Sequence, residues 1–545
     1  MSMKKSVFLL FSAWMIVLIS ANVTQAQKFE FADNTKIYTI FLTKGCSCEG
    51  GPNEVAPNLM TQEEIIYKLQ NNCPGVEFII RDLYHGETKL ETVMNELYGK
   101  RRVSITEGWD VPPRKDLDGV LIIGWQGGER SLYYPLAFTG LPTIVVDNFM
   151  EWFSIPHKLF LTGKEEDSVL IGGPEYWNVE TKGKPRILTA QLDRRRTSPP
   201  AETEEMFQDM VYKVKLIQVI RKMRDIRILR ISPYESYAAL DYRGDGNKHK
   251  PDDYNEIVIR ELKGAFGIEL VDVMPDEFYE AVTKVDLKQA ETIAQKWIDE
   301  AEKLEDTTFS EVVKTAKGYL AFEALRKKYN CNAVETHMRQ LTKERTMDTI
   351  FWPTLGMEEF KRRGIMAVCQ PYENCLLTYL LGYFMTGRPS FMGEWNLDPY
   401  HDTDIIMHTA FPFYPYGNDT MVPFVLISHA ESVVRKTLKP GSGTGMLARY
   451  PINEPVTMWK VHLLQKKIGL HTGTTVDGNA IYTNCDWDNI MCRTKVVAKV
   501  DVQKLQRYFS PDEYGNHKVL IFGDYRQEIK DMATFLGFEL YEEDR

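Results

Sequence analysis

Residues 364–395 read GIMAVCQPYENCLLTYLLGYFMTGRPSFMGEW: an apolar run, a helical segment and a second apolar run. Pro371 suits the first turn of a helix and Gly387 its exit, which predicts a helix from about Pro371 to Thr386. The flanking runs then read as parallel strands joined by a crossover helix, with both strand ends on one sheet edge. Gln370 ends the first run and Glu394 the second. Ligands of open α/β sheets collect at such carboxyl ends, so the two side chains are expected to face one pocket. The preceding strand, in NAVETHM, is expected to bring Glu335 and His337 to the same edge.

Outward from this stretch, short apolar runs alternate with helical patterns. KIYTIFLT, VEFIIRDL, DGVLIIGW and PTIVVDN read as buried strands with TQEEIIYKLQNN as a helix, which predicts a parallel α/β domain over residues 27–180. The charged DRRRTSPPAETEE reads as a crossing between domains. A second α/β domain is expected over 200–400, with DIRILRIS and IELVDVM as strands and a long charged helical region from about Asp286 to Lys328. Beyond it, TDIIMHTAF, MVPFVLISHA, GTGMLARYPI, VTMWKVHLLQ and TKVVAKVDV are separated by Gly, Pro and Asn turns. Residues 401–545 are therefore expected to be mostly β, a barrel or sandwich, closing on the strand HKVLIFGD and the helix in YRQEIKDMATFLGF. The expected fold class is α/β, with two Rossmann-like parallel-sheet domains followed by a barrel-like β domain.

Lys4 and Lys5, the apolar run from Ser6 to Ala21 and the small residues to Ala26 have the architecture of a secretory signal peptide over residues 1–26. A periplasmic or secreted location is expected, with no membrane attachment after cleavage. The formal net charge is −10, and losing two leader lysines makes the remainder more acidic. No cationic stripe is present, which disfavours a nucleic-acid partner. Eight cysteines in an exported chain permit disulfides, and Cys485 and Cys492, flanking DWDNIM, are the pair expected to be bridged.

AVCQPYENCLLTYLLGYFMTGRPSFMGEW, DIIMHTAFP and GNHKVLIFGDYRQEIKDMATFLGFEL, together with the order of parts, resemble the L-fucose isomerase and L-arabinose isomerase superfamily. The resemblance spans nearly the whole chain after the leader. It implies a metal-dependent aldose–ketose isomerase acting on a small unphosphorylated sugar, and a homo-oligomer, typically a hexamer. In the fucose isomerase branch, two carboxylates and a late histidine hold a divalent cation, usually Mn²⁺. Motif for motif, the second carboxylate falls on Glu394 and the histidine on His517, where Gly523 and Asp524 also match. The first carboxylate falls on Gln370, a departure from the family pattern. His408 matches the region where the arabinose branch carries a further histidine ligand.

The expected metal ligands are thus Glu394, His517, Gln370 and His408, with Mn²⁺ or another divalent cation such as Mg²⁺ as cofactor. The expected catalytic residues are Glu394, Gln370 and Glu373. An amide oxygen can bind a cation but cannot accept a proton as a base. Glu373, one helical turn after Gln370, and Glu335, at the neighbouring strand end, are two candidate replacements, although favourable charge at a helix N-terminus is the simpler reading of Glu373. His429, Glu431 and the aromatics of FPFYPYG are readable either as site members or as ordinary loop and core residues. The glycines of KGCSCEGGPN are compatible with a ligand loop or a tight turn. The alternative function is a non-catalytic carbohydrate-binding pseudoenzyme of the same fold. A hydrolase or lyase is disfavoured, since no nucleophile elbow is present.

Overall fold

A computed structural model describes residues 34–42, 60–83, 90–98, 116–124, 139–148, 186–193, 198–231, 254–336, 341, 353–370, 372–408, 411–417, 420–429, 443–490, 492–508 and 515–545. The leader, KGCSCEGGPN, His337, Pro371 and Glu431 lie outside the described residues.

The first unit contains β1 (Thr35–Leu42), α1 (Gln62–Asn72), β2 (Val76–Asp82), α2 (Leu90–Tyr98), β3 (Gly119–Gly124), β4 (Thr143–Asn148) and β5 (Ile187–Leu192). These strands form one parallel sheet in the order β2-β1-β3-β4-β5. β1 and β3 are buried along nearly their whole length, as expected of parallel strands covered on both faces. β5 lies beyond residue 180, the end read from sequence. The 24-residue helix α3 (Pro200–Met223) buries Phe207, Met210, Val214 and Ile217 in the core shared with this sheet.

Next come β6 (Arg227–Ile231), α4 (Tyr254–Phe266), β7 (Glu269–Val273), α5 (Pro275–Thr283), α6 (Leu287–Glu300), β8 (Leu304–Glu305), α7 (Phe309–Lys328), β9 (Ala333–Thr336), α8 (Thr354–Arg362), β10 (Met366–Val368) and α9 (Glu373–Thr386). β10-β9-β6-β7 form a second parallel sheet. Leu229, Ile231, Val334 and Ala367 share a core with Trp297, Phe322 and Phe360 of α6, α7 and α8. Ile228, Ala333, Met366 and Val368 share another with α3, α4 and α9. α9 ends at Gly387, whose φ of 68° supplies the left-handed exit.

The last region holds β11 (Phe391–Asp398), β12 (Thr403–His408), β13 (Phe424–Ile427), β14 (Gly445–Ala448), β15 (Pro455–His462), β16 (Lys467–Val476), α10 (Gly478–Ile481), β17 (Thr494–Lys499), α11 (Val502–Leu505), β18 (His517–Phe522), α12 (Arg526–Leu536) and β19 (Glu539–Glu542). β15-β18-β11-β12-β17-β16 close into a six-stranded barrel through the β15–β16 pairing, which leaves those six strands without a free edge. β19 adds to β16 in parallel, and β8, β13 and β14 form a small separate sheet. Among the described residues, no helix is long and apolar enough to cross a membrane.

One expectation is overturned here. β11 does not return to the sheet of β10; it pairs antiparallel with β12 and β18 in the barrel. An apolar run shows that a strand is buried, but not which strands bond to it. Gly393 helps commit β11 to the barrel, because a Cβ there would sit 2.6 Å from the Met407 carbonyl oxygen on β12. Gln370 and Glu394 therefore do not share a sheet edge. Gln370 follows the end of β10, and Glu394 lies on the wall of the barrel.

Candidate functional site

Inside and outside alternate along each barrel strand. Phe391 and Trp395 belong to the core that includes Ile406, Val456, Met458 and Leu520, so Glu394 points the opposite way, out of the barrel. Glu394 stands directly opposite His517 on β18 and opposite Met407 on β12. The Trp395 amide donates to the Asn516 carbonyl at 2.8 Å, which makes Glu394 and His517 a non-hydrogen-bonded pair. In such pairs the Cα atoms lie about 4.5 Å apart and the side chains are closest. An acid in mid-chain and an imidazole near the terminus thus become lateral neighbours.

The start of α9 covers this pair. Tyr372 stacks on the His517 ring at 4.1 Å between centroids, and its hydroxyl donates to Asn516 Oδ1 at 3.3 Å. His517 Nδ1 donates to the same oxygen at 2.8 Å, which fixes the proton on Nδ1 and leaves Nε2 as the basic nitrogen. His408, the last residue of β12, places its ring 5.7 Å from that of His517, and its Nδ1 lies 3.7 Å from Cys369 Sγ at the end of β10. Cys492 donates its thiol proton to Glu394 Oε2 at 3.4 Å. This corrects the expected disulfide: Cys485 and Cys492 are both free thiols, with Cys485 directed instead to the Tyr482 carbonyl.

Gln370 follows Cys369, and its Oε1 is buried without a hydrogen bond. A carboxylate, two imidazoles and an orphaned amide oxygen are a donor set suited to a divalent cation. Burial, with Lys361 nearby, pushes His408 down to about 3, so its ring is neutral, as a metal ligand must be. Burial and the neighbouring Glu394 hold the Cys492 thiol well above its ordinary value, and burial pushes Cys369 up to about 12; both thiols stay protonated. Among the described residues, no three His, Cys, Asp or Glu side chains already converge as a metal cluster.

Glu373 and Glu335 belong to a different arrangement. Arg230, Asp272 and Glu335 sit in register across β6, β7 and β9. The Arg230 guanidinium binds Asp272 through two hydrogen bonds of 2.7 and 2.9 Å, reaches Glu373 Oε1 at 3.3 Å and lies 4.0 Å from Glu335 Oε1. Glu335 is fully buried, and neither of its oxygens makes a hydrogen bond. Burial first, then repulsion from Glu373, raises it well above the ordinary carboxylate range against the pull of Arg230. Glu373 thus anchors the start of α9 to the central sheet.

Besides Arg230, two further buried charged groups escaped the sequence reading. Inside the barrel, His471 Nε2 lies 2.8 Å from Asp404 Oδ2 and its Nδ1 lies 2.7 Å from Glu543 Oε2, which also binds Lys518. Lys518 Nζ sits 3.5 Å from the ring centroid of Trp395. A signal was available: His471 and Lys518 interrupt strands at positions that point inward. The second group, Glu358 and Lys361 on α8, is an ion pair at 2.7 Å with both side chains almost wholly buried. The FPFYPYG aromatics Phe411 and Phe413 are core residues, packed with Tyr450 and Phe424. A cavity of about 280 Å³, lined in part by Arg449, Trp487, Arg493 and Lys495, opens on the barrel wall instead. Lys495 pairs with Met407, one strand from Glu394.

No protein-family model matches the chain, and no curated protein matches it either.

Proposed function

We propose that the chain is a sugar isomerase-like protein of the L-fucose and L-arabinose isomerase superfamily, with Rossmann-like α/β domains, that interconverts an aldose and a ketose through an enediol. The observation that carries this reading is the cross-strand pairing of Glu394 with His517, flanked by His408 and the end of β10. Glu394, His517 and His408, with Gln370 Oε1 as a weaker donor, would hold Mn²⁺ or another divalent cation such as Mg²⁺. When bound, the cation supplies positive charge that polarises adjacent sugar oxygens and offsets the negative charge of the enediol. Asn516 and Tyr372 orient His517 for this task. Burial keeps His408 neutral.

The leader-like N-terminus supports a periplasmic or secreted protein, and the superfamily resemblance supports a homo-oligomer such as a hexamer. Gln370 favours a second reading, a carbohydrate-binding pseudoenzyme. A screen of free aldoses with and without Mn²⁺, on wild type and Gln370→Glu, separates the two. Mn²⁺-dependent ketose formation by the wild type is the expected outcome. Sugar binding by calorimetry without turnover, unaltered by metal, supports the pseudoenzyme; turnover that appears only in Gln370→Glu marks an enzyme that has lost its activity.

A further inference from the structure

We propose that the cavity on the barrel wall is a second ligand site, in which Arg493 and Lys495 bind the carboxylate of a small sugar acid, a monosaccharide carrying one negative charge. The inference does not rest on the isomerase reading. Lys495 pairs with Met407, which in turn pairs with Glu394, so the whole of β12 separates this lysine from the Glu394–His517 pair.

Arg493 and Lys495 stand two residues apart at the start of β17 and so share its outward face with Val497, which packs with Met407 and Trp487. Both line the cavity of about 280 Å³. That volume is at the small end of the roughly 300–1,000 Å³ usual for ligand pockets, which suits one sugar ring and not an oligosaccharide or a nucleotide. Trp487 forms part of the wall and is fixed there. Tyr482 stacks on it at 4.4 Å between centroids and 10° between planes, and Lys495 Nζ lies 5.0 Å from its ring centroid. An aromatic wall beside a few polar groups matches a ligand with an apolar ring face and a polar rim.

The two cations have donors to spare. A guanidinium carries five N–H groups and an ammonium three. Arg493 is only 3% exposed, yet it makes three hydrogen bonds, all to neutral oxygens: Nε to the Ser428 carbonyl at 3.2 Å, Nη2 to Ser428 Oγ at 3.1 Å, and Nη1 to Asn489 Oδ1. Lys495 makes two, to the carbonyls of Trp487 at 2.7 Å and Arg493 at 3.4 Å. Two N–H groups of Arg493 and one of Lys495 therefore have no acceptor among the described residues, where neither side chain makes an ion pair. The acid behind Arg493, Asp306, reaches it only through Ser428, whose hydroxyl donates to Asp306 Oδ2 at 2.8 Å. Buried charge without a counter-charge is costly, and an entering anion relieves that cost. Burial pushes Lys495 down to about 8 against the pull of Asp488, which leaves it mostly charged at neutral pH.

Charge decides the class of anion. Arg449 is already paired with Asp488 at 3.0 Å, and Asp477 caps α10. Three cations against these two carboxylates leave one positive charge in the lining of a chain whose net charge is −10. One positive charge matches one carboxylate, whereas a phosphate group brings nearly two negative charges at neutral pH.

Calorimetric titration of the full chain in EDTA with glucuronate, galacturonate and gluconate tests the proposal, with glucose, galactose, acetate and inorganic phosphate as comparisons. At least one sugar acid is expected to bind at one site per chain, with each comparison compound weaker by about 10-fold or more. Lys495→Met and Arg493→Lys should each weaken binding by about 10–100-fold, the usual result of losing a charge-assisted hydrogen bond. Arg493 also holds Ser428, so Asn479→Trp guards against a folding defect: Asn479 is exposed and lines the cavity, and a bulky ring there blocks the space while both cations stay in place. His517→Ala should leave the affinity unaltered. Sugar acids that bind no better than their neutral counterparts would overturn the proposal, as would tighter binding of phosphate. Undiminished binding in Lys495→Met and Asn479→Trp, or its loss in His517→Ala, would overturn the location. All of these readings are made without metal or turnover, so the isomerase reading stands or falls separately, on ketose formation with Mn²⁺.

Discussion

Replacing Glu543 with alanine is expected to cost about 3–5 kcal/mol of stability, the usual consequence of leaving a buried charge without its partner. Glu543 projects from the chain end into the barrel, where one carboxylate serves both Lys518 and His471. All three residues are almost completely buried. Burial alone would raise the Glu543 pKa, but Lys518 and His471 outweigh it and bring it down to about 2. His471 shows the mirror image: burial and Lys518 push it down, and Asp404 and Glu543 more than restore it, so it stays above its ordinary value. The Glu543 contribution is complete above the unfolded carboxylate value of about 4.3 and fades as pH falls towards about 2. Calorimetric melting of Glu543→Ala should show a markedly lower transition for the barrel at pH 7, and a smaller deficit in strong acid. Combining Lys518→Met with Glu543→Gln should recover most of the loss, because no buried lysine is then left unpaired. An unchanged transition in Glu543→Ala would show that the network contributes nothing.

The second large effect is expected at Arg230. Its guanidinium lies 4.0 Å from Glu335 and 3.3 Å from Glu373, so Arg230→Met removes a buried positive charge from beside two buried carboxyl groups, again at about 3–5 kcal/mol. The pH dependence runs opposite to that of Glu543. A carboxyl group whose folded pKa is raised holds its proton in the native state while the unfolded chain releases it above about 4.3. Stability therefore declines as pH rises from there towards the folded value. Without the pull of Arg230, Glu335 is raised further, and the decline above about pH 4.3 should steepen. Denaturant unfolding at several pH values measures it; parallel curves for wild type and Arg230→Met would refute the assignment.

The sequence conveyed the elements more clearly than their partnerships. The short, largely apolar and β-branched runs of β1, β3 and β4 announced parallel strands, and Gly387 announced the end of α9. β11 was misplaced because its apolar residues look alike whether they face a helix layer or a barrel core. The site reading reached Glu394, His408 and His517 by motif resemblance, while the physical reason for their meeting, a cross-strand register closed by a terminal strand, is a long-range fact. Arg230, Glu358 and Lys518 were passed over because a charged residue in a linear sequence is most simply a solvated one. Only tertiary burial shows otherwise. Glu373 was read as a replacement carboxylate or a helix-start charge because nothing local points to Arg230.

The central claim is that Glu394 and His517 grip one divalent cation between the barrel wall and the start of α9. Elemental analysis of the purified chain after equilibration with Mn²⁺, for wild type, Glu394→Ala and His517→Ala, tests it most directly. The account predicts one Mn²⁺ per wild-type chain, with each substitution weakening binding by more than the roughly 10–100-fold typical of losing an outer-shell partner. A wild-type chain that retains no metal, or variants that retain it undiminished, would contradict it.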